Sequence, residues 1–75
     1  MITIYTTPSC VYCKIAKTFF TEHNVAFEEK DVTKDDAARD AMIQKSGQMG
    51  VPVIDVNGKV VVGFDEDALK NLLGI

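Results

Sequence analysis

The sequence is short of what several large functional classes require. Its 75 residues include one histidine, His23, and two cysteines, Cys10 and Cys13. A structural zinc ion takes four ligands, commonly two cysteine pairs or one pair with two histidines, so a single copy of the chain does not supply a set. None of its apolar runs approaches the about 20 residues of a membrane-spanning helix, which excludes such a span. Lysines at 14, 17, 30, 34, 45, 59 and 70 are dispersed, and the formal net charge is −3. With no basic cluster to release counterions from phosphates, nucleic acid is not an expected partner. The chain also lacks the basic start, long apolar stretch and small-residue cleavage site of a secretory signal, because Ile2-Thr3-Ile4-Tyr5 enters a β-like pattern at once. The expected location is the cytoplasm, where a lone cysteine pair is more often catalytic or metal-binding than structural. Internal repeats, linkers and low-complexity tracts are missing, and residues 1–75 are expected to form one domain. A domain of this size buries only about 60% of the surface its unfolded chain exposes.

What is present reads as alternating elements. Ile2, Thr3, Ile4, Tyr5 and Thr6 alternate as in a strand, and Thr7-Pro8-Ser9 supplies a breaker followed by a helix start. The helix carries Tyr12, Ile15, Ala16, Phe19, Phe20 and His23 at the spacing of one apolar stripe, with Lys14, Lys17, Thr18 and Glu22 facing out. It is expected to end at His23-Asn24, since Asn tolerates the left-handed conformation of a helix stop. Residues 25–30 read as a second strand with Val25 and Phe27 inward, and strand, helix, strand in about thirty residues predicts a parallel, right-handed crossover. Thr33-Lys34-Asp35-Asp36 resembles a capping box with Asp in place of the usual Glu, opening a helix that runs to Ser46 and stops at Gly47. The thin apolar content of that helix predicts that it lies more exposed than the first. After a loop in which Met49 is expected to pack, residues 51–56 and 59–63 form two β-branched runs joined by Asn57-Gly58. That is a strong hairpin signal, because a type I′ turn needs positive φ at both central positions. Asp65 then caps a last helix with Glu66 and Asp67 in its first turn and Ala68, Leu69, Leu72 and Leu73 as its buried stripe. The order is βαβαββα, an α/β fold.

The chemistry concentrates at Pro8-Ser9-Cys10-Val11-Tyr12-Cys13-Lys14. A Cys-x-x-Cys pair beside βαβ patterning points to a dithiol redox centre. Cys10 falls at the predicted helix start, where unpaired backbone N–H groups and the helix dipole favour an anion, and such settings lower a thiol pKa from about 8.5 to roughly 3.5–7.5. Cys10 is the expected nucleophile. Cys13 lies one turn on, placed to attack a mixed disulfide formed at Cys10, with burial keeping it protonated until then. Pro52 opens an apolar strand, where proline belongs at an edge or a strand start. Val51-Pro52 is also where a cis peptide can lie beside the thiols, leaving the Val51 backbone to pair with an extended substrate. Tyr12 is expected at a groove wall, and Phe64 either lines that groove or packs. His23 stands ten residues beyond Cys13, roughly 15 Å along the helix, too far to share a metal with it.

Three segments carry a resemblance that covers essentially the whole chain: Tyr5-Thr6-Thr7-Pro8-Ser9-Cys10-Val11-Tyr12-Cys13, Gly50-Val51-Pro52-Val53 and Gly63-Phe64-Asp65-Glu66. With them the protein resembles the glutaredoxin-like branch of the thioredoxin fold. The resemblance implies a four-stranded mixed sheet flanked by three helices, Cys10 as nucleophile, Cys13 as resolving thiol and Pro52 in cis. It also implies a glutathione-binding groove at Val51, Gly63, Phe64, Asp65 and Glu66. Thr7 replaces the usual Lys, Gly50-Val51-Pro52 replaces Thr-Val-Pro, and Val62-Gly63 replaces Gly-Gly. The Gly-Phe pair and the Val after the first Cys look similar instead to the redoxins that serve ribonucleotide reductase, so the chain stands between the two groups. The implied activity is thiol-disulfide exchange on protein or glutathione mixed disulfides. No cofactor is tightly bound and no residue is a metal ligand; glutathione is a possible co-substrate. Glutathione or thioredoxin reductase is the implied electron donor, disulfide-containing proteins are the partners, and the chain is expected to be a monomer. The alternative is an iron-sulfur or zinc module bridging two chains through Cys10 and Cys13.

Overall fold

The period-2 alternation at the start of the chain sends Ile2 and Ile4 to one face of a strand and Tyr5 to the other. In the computed structural model, which describes residues 1–75, this strand, β1 (Ile2–Thr6), is a central member of the sheet. It is followed by α1 (Val11–Glu22), β2 (Glu28–Asp31), α2 (Asp36–Ser46), β3 (Val53–Val56), β4 (Lys59–Val62) and α3 (Glu66–Leu73). The strands lie in the order β2-β1-β3-β4. β1 and β2 pair in parallel, with Thr3 opposite Glu28 and Thr6 opposite Asp31. β3 runs antiparallel to both β1 and β4. This is the mixed four-stranded sheet with three helices that the resemblance implies.

Each face of the sheet buries its own core. Ile2, Ile4, Ile54, Val56 and Val61 meet Ala16, Phe19 and Phe20 of α1 and Leu69 of α3. The opposite face brings Tyr5 and Val53 against Val32 and against Ala38 and Met42 of α2. The first core is larger and richer in aromatic rings: Phe20 is fully buried, edge-on to Phe19 at 5.7 Å and tilted against Phe27 at 5.5 Å. Burying a side chain of that size contributes about 1.5–3 kcal/mol, a large share of what so small a domain can hold. α2 buries only Ala38 and Met42, so it is the more exposed helix. A polar tie compensates: the Lys45 ammonium donates to Asp55 at 2.7 Å and to the Tyr5 hydroxyl at 3.2 Å. That contact holds the Lys45 pKa above its ordinary value through Asp55 and then Tyr5, and it holds the Asp55 carboxyl below its own.

Several boundaries differ from the expectation. The second strand begins at Glu28 rather than Val25, its first pair with β1 being Glu28 opposite Thr3. Val25 and Phe27 still pack partly buried on the larger core, as extended chain leading out of α1. α2 is capped by Asp35, whose carboxylate accepts the Ala38 N–H at 3.0 Å. Thr33 is unavailable as a cap because its own N–H and hydroxyl both donate to Asp31, at 2.9 and 2.6 Å. α1 is rotated relative to the predicted stripe: Cys13, Ala16, Phe19 and Phe20 face inward, while Tyr12, Ile15 and His23 are exposed. In α3 only Leu69 is fully buried, and Leu72 is exposed. The Asn57-Gly58 turn is as predicted, with φ of 52° and 93°. No helix is long and apolar enough to cross a membrane.

Candidate active site

One end of the sheet gathers the residues singled out by sequence. β1 ends at Thr6, β3 begins at Val53 and β4 ends at Val62. The pairs Tyr5 with Val53 and Val53 with Val62 set these ends side by side. One step further along the same register, Pro52 lies beside Thr6 and Gly63, and Val51 beside Thr7. The Gly63 N–H indeed donates to the Pro52 carbonyl at 2.8 Å. Thr7-Pro8-Ser9 then carries the chain from β1 into α1, with the Cys10 N–H donating back to the Thr7 carbonyl at 3.3 Å.

Cys10 is the N-cap of α1, with extended backbone at φ −82° and ψ 111°. Its sulfur occupies the place of a capping oxygen and accepts the Cys13 N–H at 3.1 Å. The first turn of α1 contains no acidic side chain. The positive end of the helix dipole therefore faces the sulfur without a carboxylate to neutralise it. The charged residue nearest the pair along the sequence is Lys14, which is exposed. The Cα atoms of Cys10 and Cys13 are 5.2 Å apart and the two residues are joined as a disulfide, so this is the oxidised form. The two sulfurs are unequally accessible. Cys10 is partly exposed, whereas Cys13 is 1% exposed, because the rotation of α1 turns it inward with Ala16 and Phe20. Val11 and Tyr12, between them, are 66% and 63% exposed. Tyr12 is thus a surface residue.

The Val51-Pro52 peptide is cis, and the Pro52 side chain is fully buried. Neither the N–H nor the C=O of Val51 makes a hydrogen bond within the chain, so both are left unpaired, as at a strand edge. The remaining candidates divide into two kinds. The Gly63 N–H and the Asp65 carboxylate already have partners inside the fold, Asp65 accepting the Ala68 N–H at 3.1 Å as the cap of α3. Phe64 packs edge-on against Phe19 at 5.6 Å. Its outer side and Glu66 line an open groove of about 370 Å³, together with Lys14, Ile15, Thr18 and His23. Phe64 therefore packs and lines a groove, but a different one from that expected beside the thiols, since neither cysteine, Tyr12 nor Val51 lines it, and Glu66 lies on its wall.

No three His, Cys, Asp or Glu side chains cluster to hold a metal ion. His23 sits at the far end of α1, its ring 4.5 Å from that of Phe19. Met49 does not pack in its loop: it is 67% exposed. The loop is instead organised by Ser46 and Gln48, which sequence reasoning passed over because polar residues between a helix and a strand carry no periodic signal. Glu29 is held below its ordinary pKa, first by the hydrogen bond from Lys17. Asp31 is held low by Thr33. Both changes belong to structural contacts rather than to the thiols.

The glutaredoxin family model matches residues 2–61. A glutaredoxin-like 8.6 kDa protein of the rubredoxin operon of Clostridium pasteurianum is 38% identical, the match covering 97% of each chain. A crystallised thioredoxin-like protein superimposes with a TM-score of 0.90 at 40% identity, covering 96% of this chain and 99% of the other. The glutaredoxin-like protein NrdH-redoxin of Escherichia coli gives 0.84 at 30% identity, covering 95% and 92%. The dithiol at a helix start, the Val51-Pro52 peptide beside it and these likenesses over nearly the full length lead to one conclusion: the chain belongs to the glutaredoxin family.

Proposed function

We propose that the protein is a thiol-disulfide oxidoreductase of the reducing cytoplasm, acting as a single-domain monomer on protein disulfides and glutathione mixed disulfides. The observation that carries the reading is the asymmetry of the pair: one sulfur caps a helix at the surface and the other is buried one turn behind it. In the reduced protein, the Cys10 thiolate attacks one sulfur of the substrate disulfide. A mixed disulfide forms at Cys10, and the first substrate thiolate leaves and takes a proton. Cys13 then loses its proton and attacks the Cys10 sulfur, expelling the second substrate thiol and closing the Cys10–Cys13 disulfide. Two electrons pass to the substrate, and a donor returns them to the pair.

Val51 supports a second part of the reading. Its unpaired N–H and C=O suit two main-chain hydrogen bonds to an extended segment around the substrate cysteine, adding a short strand beside the thiols. Exposed Val11, Tyr12 and Met49 supply apolar surface for such a segment. For the donor, we favour thioredoxin reductase over glutathione. Thr7 offers no amine to a glutathione carboxylate, and the Gly63 N–H and Asp65 carboxylate are engaged within the chain. The thioredoxin-like activity profile of the Escherichia coli NrdH-redoxin supports the same choice.

The test has two arms. Alkylation of the reduced protein should show Cys10 reacting well below the about pH 8.5 midpoint of an ordinary thiol, and the Cys13→Ser variant should accumulate a mixed disulfide with substrate. An ordinary Cys10 midpoint, or no trapped species, would sink the mechanism. NADPH oxidation is then compared with thioredoxin reductase alone and with glutathione plus glutathione reductase; faster turnover in the second system would reverse the choice of donor.

A further inference from the structure

Between α2 and the cis peptide, the five residues from Ser46 to Gly50 are held by side chains rather than by packing. Gly50 and Met49 are exposed, and Gln48 is only half-buried. The Ser46 hydroxyl donates to the Met42 carbonyl at 2.7 Å, one turn back in α2. Its oxygen receives the Gln48 backbone N–H at 3.4 Å and the Gln48 carboxamide nitrogen at 3.2 Å. The same carboxamide closes on Gly50 from both sides. Its nitrogen donates to the Gly50 carbonyl at 3.0 Å, and its oxygen accepts the Gly50 N–H at 2.5 Å. Gln48 thus copies with its side chain the paired N–H and C=O that a neighbouring strand would offer.

Two consequences follow from this contact. Gly50 has its main-chain groups occupied while Val51, the next residue, has both free. The carboxamide also requires the absence of a side chain at position 50, since a Cβ there would lie 2.7 Å from the Gln48 Oε1. We infer that Gln48 is a positioning residue for substrate capture: its clamp on Gly50 holds the Val51 N–H and C=O in the extended orientation that pairs with the segment around a substrate disulfide. The inference rests on the oxidoreductase reading and adds to it the group that presets the docking edge. Gln48 touches neither sulfur, so it acts on how substrates bind rather than on thiol reactivity.

The clamp can be broken in two independent ways. Gln48→Ala removes the carboxamide. Gly50→Ala leaves it present but drives its flexible end away, and Gly50 does not have the positive φ that would itself forbid alanine. The experiment mixes pre-reduced protein with excess disulfide, quenches with acid, and follows formation of the Cys10–Cys13 disulfide by mass. One substrate is the symmetric disulfide of acetyl-Gly-Ala-Cys-Ala-Gly-amide, which has a backbone to dock. The other is bis(2-hydroxyethyl) disulfide, which has none. Each single variant is expected to raise the half-saturating concentration of the peptide disulfide about fivefold to tenfold, the size of one lost net hydrogen bond, with the limiting rate within about twofold. The rate constant with the hydroxyethyl disulfide is expected to change by less than about twofold, and the double variant to be no worse than either single one, as neighbours sharing one contact behave. An unchanged half-saturating concentration in Gln48→Ala, equal losses on both disulfides, or additive losses in the double variant would each overturn the inference. A wild-type protein inert toward both disulfides would overturn the oxidoreductase reading itself, and the inference with it.

Discussion

The first and last helices start in the same way and end up with different jobs. Each follows a strand at the same end of the sheet, and each begins with a residue whose side chain accepts the amide three residues on, at 3.1 Å in both cases. At α3 that side chain is the carboxylate of Asp65, and Glu66 and Asp67 fill the first turn. At α1 it is the sulfur of Cys10, and the first turn has no acid at all. The backbone offers the same anion site twice. In α3 a carboxylate occupies it and caps the helix; in α1 the proposed function keeps it for the thiolate of the reduced pair. α2, capped by Asp35 with Asp36 in its first turn, follows the α3 pattern. The bare start of α1 is therefore the exception in this chain.

The largest effect comes from making the two starts alike. Cys10→Asp gives α1 the cap of α3, so the helix is kept while disulfide exchange is abolished. Cys10→Ala abolishes exchange too, and in addition destabilises the reduced protein by about 0.5–2 kcal/mol through loss of the cap. Urea titration of the two variants separates the roles; equal stability would mean that the cap contributes nothing at α1. Next, Asp65→Ala is expected to cost about 1 kcal/mol of stability while leaving the pH midpoint of Cys10 alkylation where it was. A moved midpoint would show that the two helix starts communicate.

A smaller effect follows from adding to α1 the acid it lacks. Val11→Glu places a carboxylate in its first turn at an exposed position. A charge there interacts with the helix end by about 0.3–1 kcal/mol, which raises the Cys10 midpoint by about 0.2–0.7 pH units. Alkylation measured below the midpoint should slow by about twofold to fivefold; no change would break the comparison. The smallest effect is set by a fixed charge remote from the thiols. Asp55 is held below its ordinary pKa by Lys45, so its contribution to stability is present above the unfolded carboxylate value and is lost as pH falls through the lowered folded value. The stability gap between wild type and Asp55→Asn should accordingly narrow in acid. A gap independent of pH would mean that the Lys45 contact contributes little.

Much of this arrangement was legible in the residues. Alternation at 2–6, the Asn57-Gly58 turn and the Asp65 cap are local signals, and each is where the local rule puts it. The signals that misled were those settled by distant or competing partners. Val25 to Phe27 looked like strand and are not, the first pair of β2 with β1 being Glu28 opposite Thr3. Asp31 takes both donors of Thr33 and passes the cap to Asp35. Of the stripe read on α1, Ala16, Phe19 and Phe20 are buried as expected, while its flank of Tyr12, Ile15 and His23 is exposed and Cys13 takes the inward place instead. The burial of Cys13 itself is as the sequence reading expected. The clamp of Gln48 on Gly50 had no sequence signature beyond a glycine in a loop.

Burial of Cys13 gives the pair a direction in time. Two sulfurs of the same element, three residues apart, are ordered before any partner arrives, because a partner can reach only one of them. On the proposed mechanism the second responds only to a bond already made at the first, so an encounter that does not engage Cys10 would leave no trace on the pair. Order of events is thus written into which side of a helix faces a sheet, and a quarter-turn of α1 would erase it without changing a single residue.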